Sequence, residues 1–273
     1  MQELHPDYHQ LKIPVPKEFE SIFTYFYYAE NSSPVPVTKT LLPSYQTIML
    51  FCFGENAFMT TQKKNTVEVK QCIVLGPVRQ AFDYTLPAGT SILVANFKDD
   101  AFYRFFGKAL AAGNGTHPNE LLHDNCFTEL WHQISVFPSP EEKTDHILEF
   151  CKPYLQNQDE TIHLLSHFED PTLNPIKAIA KQTNQSERTI QLKHKTQLGY
   201  SSKELNRYNR FLKAITIIEK ELAYQKKIEW FSIIDECGYY DQSQLIHDFK
   251  HFINLSPSQY VKFQDDICRS GSA

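Results

Sequence analysis

The sequence has no C-x-x-C pair and no apolar run of membrane-spanning length. It also has no G-x-S-x-G, no P-loop and no G-x-G-x-x-G. These absences set aside thioredoxin-like redox chemistry, a spanning helix, an elbow-type hydrolase and the common nucleotide cradles. The six cysteines, Cys52, Cys72, Cys126, Cys151, Cys237 and Cys268, are scattered. That spacing predicts reduced thiols, mostly filling a core. The first sixteen residues are polar and broken by proline, so no secretory signal is expected and the protein is read as cytoplasmic. No histidine stands between His9 and His117, whereas a metal enzyme built on a barrel would need several on its strands. His163/His167 and His247/His251 have helical i, i+4 spacing, but neither pair is read as a metal site. No catalytic residue, metal or cofactor is expected.

At 273 residues the chain has room for one large or two medium domains. Its net charge of −5 argues against a nucleic-acid partner until the distribution is considered. Residues 171–262 hold 14 Lys and Arg against 9 Asp and Glu, whereas residues 1–170 hold 12 against 21. A basic region behind an acidic one fits a sensor joined to a nucleic-acid reader.

Short aromatic and β-branched segments at 19–29, 37–42, 47–53, 67–75, 79–86 and 90–97 read as strands. They are separated by turn residues such as Asn31-Ser32-Ser33-Pro34 and Pro87-Ala88-Gly89, which points to a barrel or sandwich. Residues 1–18 read as an irregular arm. Residues 99–107, with an acidic start and a terminal glycine, read as a short helix whose Phe/Tyr stripe is core. Residues 111–119 read as loop, and 126–137, 140–155 and 160–168 as helices, the last stopped by Asp170-Pro171.

Two later segments share one plan: a short apolar-periodic helix, a turn, a polar cap and a second helix. In the first, Ile176, Ile179 and Ala180 fall on one face. Thr183-Asn184-Gln185 breaks the period, Ser186 is placed to cap the next helix, and Ile190 anchors it. Arg188, Gln191 and Lys195 then share a polar face, with Lys193 at its flank. In the second, Phe231, Ile233 and Ile234 build the supporting helix and Gly238 ends it. Asp241 or Ser243 caps the next, and Leu245, Ile246 and Phe249 form its buried stripe. Gln242, Gln244, His247 and Lys250 are left facing outward, and Tyr239-Tyr240 is expected to cover the turn. The plan is that of paired helix-turn-helix readers, at about 176–197 and 229–251.

Specific runs carry a family resemblance. Ser186-x-Arg188-x-Ile190, Gly199-Tyr200-Ser201-Ser202-Lys203-Glu204-Leu205 and Arg207-Tyr208-Asn209-Arg210-Phe211 resemble the first half of an AraC/XylS-type DNA-binding domain. The run from Gly238 to Lys250, followed by Leu255-Ser256-Pro257-Ser258-Gln259-Tyr260, resembles its second half. The strand-rich half resembles the N-terminal domain of some such regulators. The resemblance implies an α+β protein. Residues 1–150 would form a β-rich barrel- or sandwich-like sensing or dimerising domain with a few helices. Residues 151–265 would form an all-α domain of two helix-turn-helix units joined by a long helix.

It also implies a sequence-specific transcriptional regulator of double-stranded DNA, homodimeric, with a small-molecule effector and no membrane partner. Ser186 and Asp241 would fix the reader helices. Arg188, Gln191, Gln242, Gln244 and His247 would meet base edges, and Lys193, Lys195, Lys203, Arg210 and Lys250 phosphates. The chain departs from the family pattern at Leu192, His194, Ile234, His247 and Asn254. Leu192 and His247 each remove a permanent positive charge. The alternative is therefore a ligand- or protein-binding adaptor whose helix-turn-helix domain has lost DNA affinity.

Overall fold

A computed structural model describes residues 7–110, 115–154, 157–168 and 173–262. The expected helix stop at Asp170-Pro171, Cys268 and part of the expected 111–119 loop lie outside the described residues. The fold is α+β, with antiparallel sheets first and helices after them. The strands are β1 Tyr8–Ile13, β2 Phe23–Asn31, β3 Val37–Leu41, β4 Ile48–Phe53, β5 Ala57–Thr61, β6 Thr66–Val69, β7 Cys72–Leu75, β8 Phe82–Leu86, β9 Thr90–Phe97 and β10 Gly115–Thr116. The helices are α1 Ala101–Phe106, α2 Pro118–Leu122, α3 Cys126–Ser135, α4 Pro140–Cys151, α5 Glu160–Ser166, α6 Pro175–Gln182, α7 Glu187–Leu198, α8 Ser202–Ala223, α9 Trp230–Cys237 and α10 Gln242–Ile253.

The strands form two sheets, ordered β1-β2-β9-β4-β7-β10 and β3-β8-β5-β6. The larger sheet is buried on both faces: β4 and β7 are apolar at every position, and β9 is apolar through Ile92–Ala95. On one face Ile48, Leu50, Cys52, Ile73, Ile92 and Val94 meet Ala57, Met59, Val69, Tyr84 and Leu86 of the smaller sheet. On the other, Phe26, Met49, Phe51, Val74, Leu93 and Phe97 meet Phe102, Phe106, Phe127, Leu130 and Ile147 of the helices. The period-two alternation sends neighbouring side chains of one strand into two different cores. The phenylalanine stripe of α1 is core, as its spacing predicts.

Local chemistry fixes the helices to the sheet. Ser139 and Glu142 form a capping box at the start of α4. The buried Lys143 amine donates to the Ile134 and Phe137 carbonyls at 2.8 and 2.5 Å, capping α3, and lies over the Phe53 ring. Trp131 Nε1 donates to the Cys52 carbonyl at 2.7 Å. Burial pushes the Cys52 thiol up to about 11 and those of Cys72 and Cys151 up to about 12. They are therefore protonated, weakly nucleophilic core groups at neutral pH. Gly54 has a positive φ of 79°, and a Cβ there would sit 2.1 Å from the Gly89 carbonyl oxygen, so two turns meet where only glycine fits.

Several elements differ from the sequence expectation. The N-terminal arm contains β1, paired with β2 in register from Tyr8↔Asn31 to Ile13↔Phe26. The segment 67–75 is not one strand: β6 belongs to the smaller sheet and β7 to the larger, so the chain changes sheets at Lys70-Gln71. Strand β5, unexpected between turns, pairs with both β6 and β8. The expected 111–119 loop contains β10 and the start of α2, whose cap is His117 Nδ1 accepting the Asn119 N–H.

By packing, the described residues form two compact units, with the break between Ser202 and Lys203. The first carries both sheets and α1–α7. The second is built on Tyr208, Phe211, Ala214 and Ile218 of α8, Ile233 and Cys237 of α9, and Leu245, Phe249 and Phe252 of α10. There the Phe211 ring lies 5.1 Å from that of Phe249 and 4.7 Å from that of Phe252.

Asn31 is fully buried and satisfied on both sides of its amide. It donates to the Val35 and Leu86 carbonyls at 2.8 Å and accepts from the Ser33 N–H and hydroxyl at 3.1 and 2.6 Å. Asn31→Ala strands these partners and is expected to cost roughly 2 to 4 kcal/mol, read as a lowered denaturation midpoint.

Candidate nucleic-acid interface

Each helix-turn-helix is set by its caps. In the first, Asn174 accepts the Lys177 N–H at 3.2 Å to start α6, and Asn184 turns the chain with a φ of 53°. Ser186 then accepts the Thr189 N–H at 3.1 Å to start α7. Ile190 is fully buried. His194 is buried too, with Nδ1 2.8 Å from the Tyr200 carbonyl oxygen and its ring edge-on to that of Tyr200. Imidazole thus fills an aromatic slot and satisfies a carbonyl beyond the helix end. Arg188, Gln191 and Lys195 are exposed along one side of α7, with Leu192 65% exposed among them.

Lys193 points elsewhere. Its amine lies 2.9 Å from Asp159 Oδ2 and 3.4 Å from the Thr161 hydroxyl. Asp159 is also the N-cap of α5, its Oδ1 accepting the Thr161 N–H at 2.8 Å. At the far end of α7, Arg79 donates to the Gly199 carbonyl, and the Tyr45 and Tyr200 rings meet edge-on at 5.1 Å. Gly199 has a φ of 82°, and a Cβ there would press on Pro77 at 3.2 Å.

In the second unit, Gly238 ends α9 in the left-handed region and Asp241 accepts the Gln244 N–H at 2.8 Å to start α10. Gln244 reaches back to accept the Tyr240 N–H at 2.9 Å, so much of its amide is spent on holding the turn. Gln242, Ser243, His247 and Lys250 are exposed. Asn254 closes α10 with a φ of 57°, a conformation asparagine tolerates.

Two expectations for this unit need correction. Phe231 does not face the core of α9 but is 84% exposed; Ile233 and Cys237, four apart, make the buried face. Of the tyrosine pair, only Tyr239 covers the turn, beneath the Arg210 guanidinium at 4.5 Å, while Tyr240 is 92% exposed.

Sequence reasoning also missed the group that holds α10 in place. Asp248 is buried, accepting from Arg207 Nε at 2.6 Å and from Arg210 Nη2 at 3.1 Å. The Arg207 guanidinium stacks on the Phe252 ring, and its Nη2 donates to His247 Nδ1 at 3.0 Å. That bond sets the tautomer of a neutral His247 ring, leaving Nε2–H as its outward donor. Arg210 is thereby committed to Asp248 and Tyr239. Lys203, on α8, is exposed. The only available signal was the i, i+3 spacing of Arg207 and Arg210 on a helix before an acidic residue inside an apolar stripe.

A polar cluster sits at the edge of the layer between the two sheets. The Tyr84 hydroxyl lies 2.8 Å from that of Tyr8 and 3.1 Å from that of Tyr27, which donates to Gln10 Oε1 at 2.8 Å. Burial raises Tyr8 and Tyr84 above the usual phenol range, so both stay protonated. Among the described residues no three His, Cys, Asp or Glu side chains converge as a metal set.

Breaking the Asp248 node would leave two guanidiniums partly buried without their counter-charge. Asp248→Ala is expected to destabilise the second unit by roughly 3 to 5 kcal/mol, seen as a lowered melting temperature; a loss under about 1 kcal/mol contradicts the role given to this carboxylate.

Residues 222–262 match the family described as bacterial regulatory helix-turn-helix proteins, AraC family. No curated protein matches the chain. Among solved structures, ToxT from Vibrio cholerae is similar at 14% identity over 94% of this chain and 98% of that one, with a TM-score of 0.39. A cupin protein from Desulfovibrio desulfuricans is similar at 7% identity over 33% and 81%, TM-score 0.26. The cupin domain of an XRE family transcriptional regulator from Enterobacter cloacae is similar at 6% over 34% and 98%, TM-score 0.27. At these scores the likenesses carry neither fold nor function over to the chain.

Proposed function

We propose, from a chain whose residues 222–262 are an AraC-family helix-turn-helix segment, that the protein is a sequence-specific transcriptional regulator of double-stranded DNA. The observation that supports this most is α10: a reader-type helix, capped by Asp241 and tied down by Asp248, that presents Gln242, His247 and Lys250 outward. Gln242 offers the paired donor and acceptor that match adenine's N7 and N6 in the major groove. His247 offers one N–H donor, and Lys250 an ammonium for a phosphate. On α7, Arg188 and Gln191 are offered to base edges and Lys195 to the backbone. Gln244 and Ser186 work through the turns they hold, and Lys203 adds a further phosphate contact. Arg210, bonded to Asp248, acts by positioning α10.

Residues 151–265 form the DNA-binding domain in this reading, and residues 1–150 sense an effector or pair two copies of the chain as a homodimer. Support for an effector comes from the Tyr8, Tyr27 and Tyr84 hydroxyls gathered beside an otherwise apolar layer. No helix among the described residues is long and apolar enough to cross a membrane. The protein acts in the cytoplasm, without catalysis. The rival reading, an adaptor that no longer grips DNA, draws on the exposed Leu192 and on His247, and it predicts no duplex binding at all.

Binding-site selection from a random duplex pool tests the proposal. The chain enriches a defined sequence, and log K falls steeply and linearly with log salt as counterions are released. Gln242→Ala relaxes the preference at one base position by roughly 1 to 3 kcal/mol and leaves the salt slope unchanged. Unaltered selectivity would remove Gln242 from the readers.

A further inference from the structure

The Lys193 ammonium is engaged by the chain's own carboxylate. Among the described candidate phosphate-binding lysines, Lys195, Lys203 and Lys250 are exposed, whereas Lys193 is held by Asp159 Oδ2 at 2.9 Å. Asp159 is itself well anchored. Its other oxygen caps α5, and the preceding residue, Gln158, donates to Asp100 Oδ1 at 3.1 Å. Asp100 is fully buried at the start of α1, and the same oxygen accepts from Arg104 Nε at 3.0 Å. A chain of polar contacts thus runs from the helix that follows the sheets, through 158–161, to the middle of α7. Arg79 and Tyr45, from loops of the sheets, hold the Gly199-Tyr200 end of the same helix.

Resting on the DNA-binding reading, we propose that the Asp159–Lys193 pair is an autoinhibitory latch, in which the N-cap carboxylate of α5 occupies the ammonium that a DNA phosphate would otherwise take. Both partners are about two-thirds buried, so the pair is less screened than a surface one. Partial burial acts to raise the Asp159 carboxyl, yet the Lys193 bond and the Thr161 amide outweigh it and hold the group below its ordinary value. The carboxylate therefore stays ionised and competes for the amine throughout the neutral range. With the pair closed, α7 meets DNA without the Lys193 ammonium; only an opened pair lets that amine reach a phosphate. Any event that shifts 158–161 relative to α1, such as ligand binding by the β-rich body, would free the amine and raise affinity.

The test uses the full chain and a labelled random-sequence duplex. Asp159→Asn keeps the N-cap, since asparagine caps as well as aspartate, and removes only the charge. The latch predicts that Asp159→Asn binds roughly fivefold more tightly at 0.1 M salt and that its log K versus log salt slope steepens by about 0.9, one additional phosphate contact. Lys193→Gln alone leaves the parent slope unchanged, and the double variant returns to it. Duplex binding by Asp159→Asn but not by the parent supports the latch as well. If parent and Asp159→Asn bind with equal slopes, the latch is wrong while the DNA-binding reading stands. If neither binds duplex, both fall together.

Discussion

Asp248 is the carboxylate on which the second helix-turn-helix depends. It sits on α10 in the middle of an apolar stripe, where an ionised group is costly unless matched. Arg207 and Arg210, one turn apart on α8, supply the match, and each guanidinium also lies over an aromatic ring. Hydrophobic residues of the same volume could bury as much area. What they would not supply is direction: two bonds to one carboxylate set the rotation of α10 on α8, and so decide which of its residues face outward. The cost is that two arginines of a basic region are turned to structure. Outward chemistry then falls to Gln242, His247 and Lys250, a surface richer in hydrogen-bonding groups than in charge.

The first helix-turn-helix obeys a different constraint. Its helices are capped by the same kinds of residues, but they pack in one compact unit with the sheets. The larger sheet makes that possible by serving two cores at once. One face closes on the smaller sheet, while the other collects α1, α3 and α4, and α1 in turn reaches the 158–161 segment. Asp100, Gln158, Asp159 and Lys193 follow one another along that path. A change in the β-rich part therefore has a physical route to α7 through named bonds. Whatever binds to the sheets acts on α7 only by its differential affinity for the latched and unlatched arrangements.

Local signals were legible in the sequence, and long-range ones were not. Ser186 and Gly238 are caps whose meaning lies within four residues, and each stands where the sequence placed it; of Asp241 and Ser243, left open by the sequence, it is Asp241 that caps α10. Ile190 and Phe249 were readable from spacing alone. Strand β1 escaped notice because its partner lies some twenty residues away and its own composition is polar. The split of 67–75 falls at Lys70-Gln71, where the alternation through Val67 and Val69 gives way to the unbroken apolar run Cys72–Leu75. Phe231 looked like core because it is aromatic, yet the helix phase set by Ile233 and Cys237 puts it outside. Lys193 read as an outer charge because Asp159 is remote in sequence. Likewise, pairing Arg210 with Asp248 needs the three-dimensional arrangement of α8 and α10. Residue type thus announced the kind of chemistry, whereas tertiary packing decided which copies of it remain free.

The central claim is that α10 enters a major groove with Gln242 at the base edges. Photo-crosslinking measures this directly: a benzophenone side chain placed at position 242, or at position 236 on α9 as the comparison, is irradiated with the selected duplex. The account predicts adducts from position 242 on major-groove base atoms within the selected sequence, and few or none from position 236. Adducts of equal yield from both positions, or none from position 242 in a chain that still binds the duplex, would contradict it.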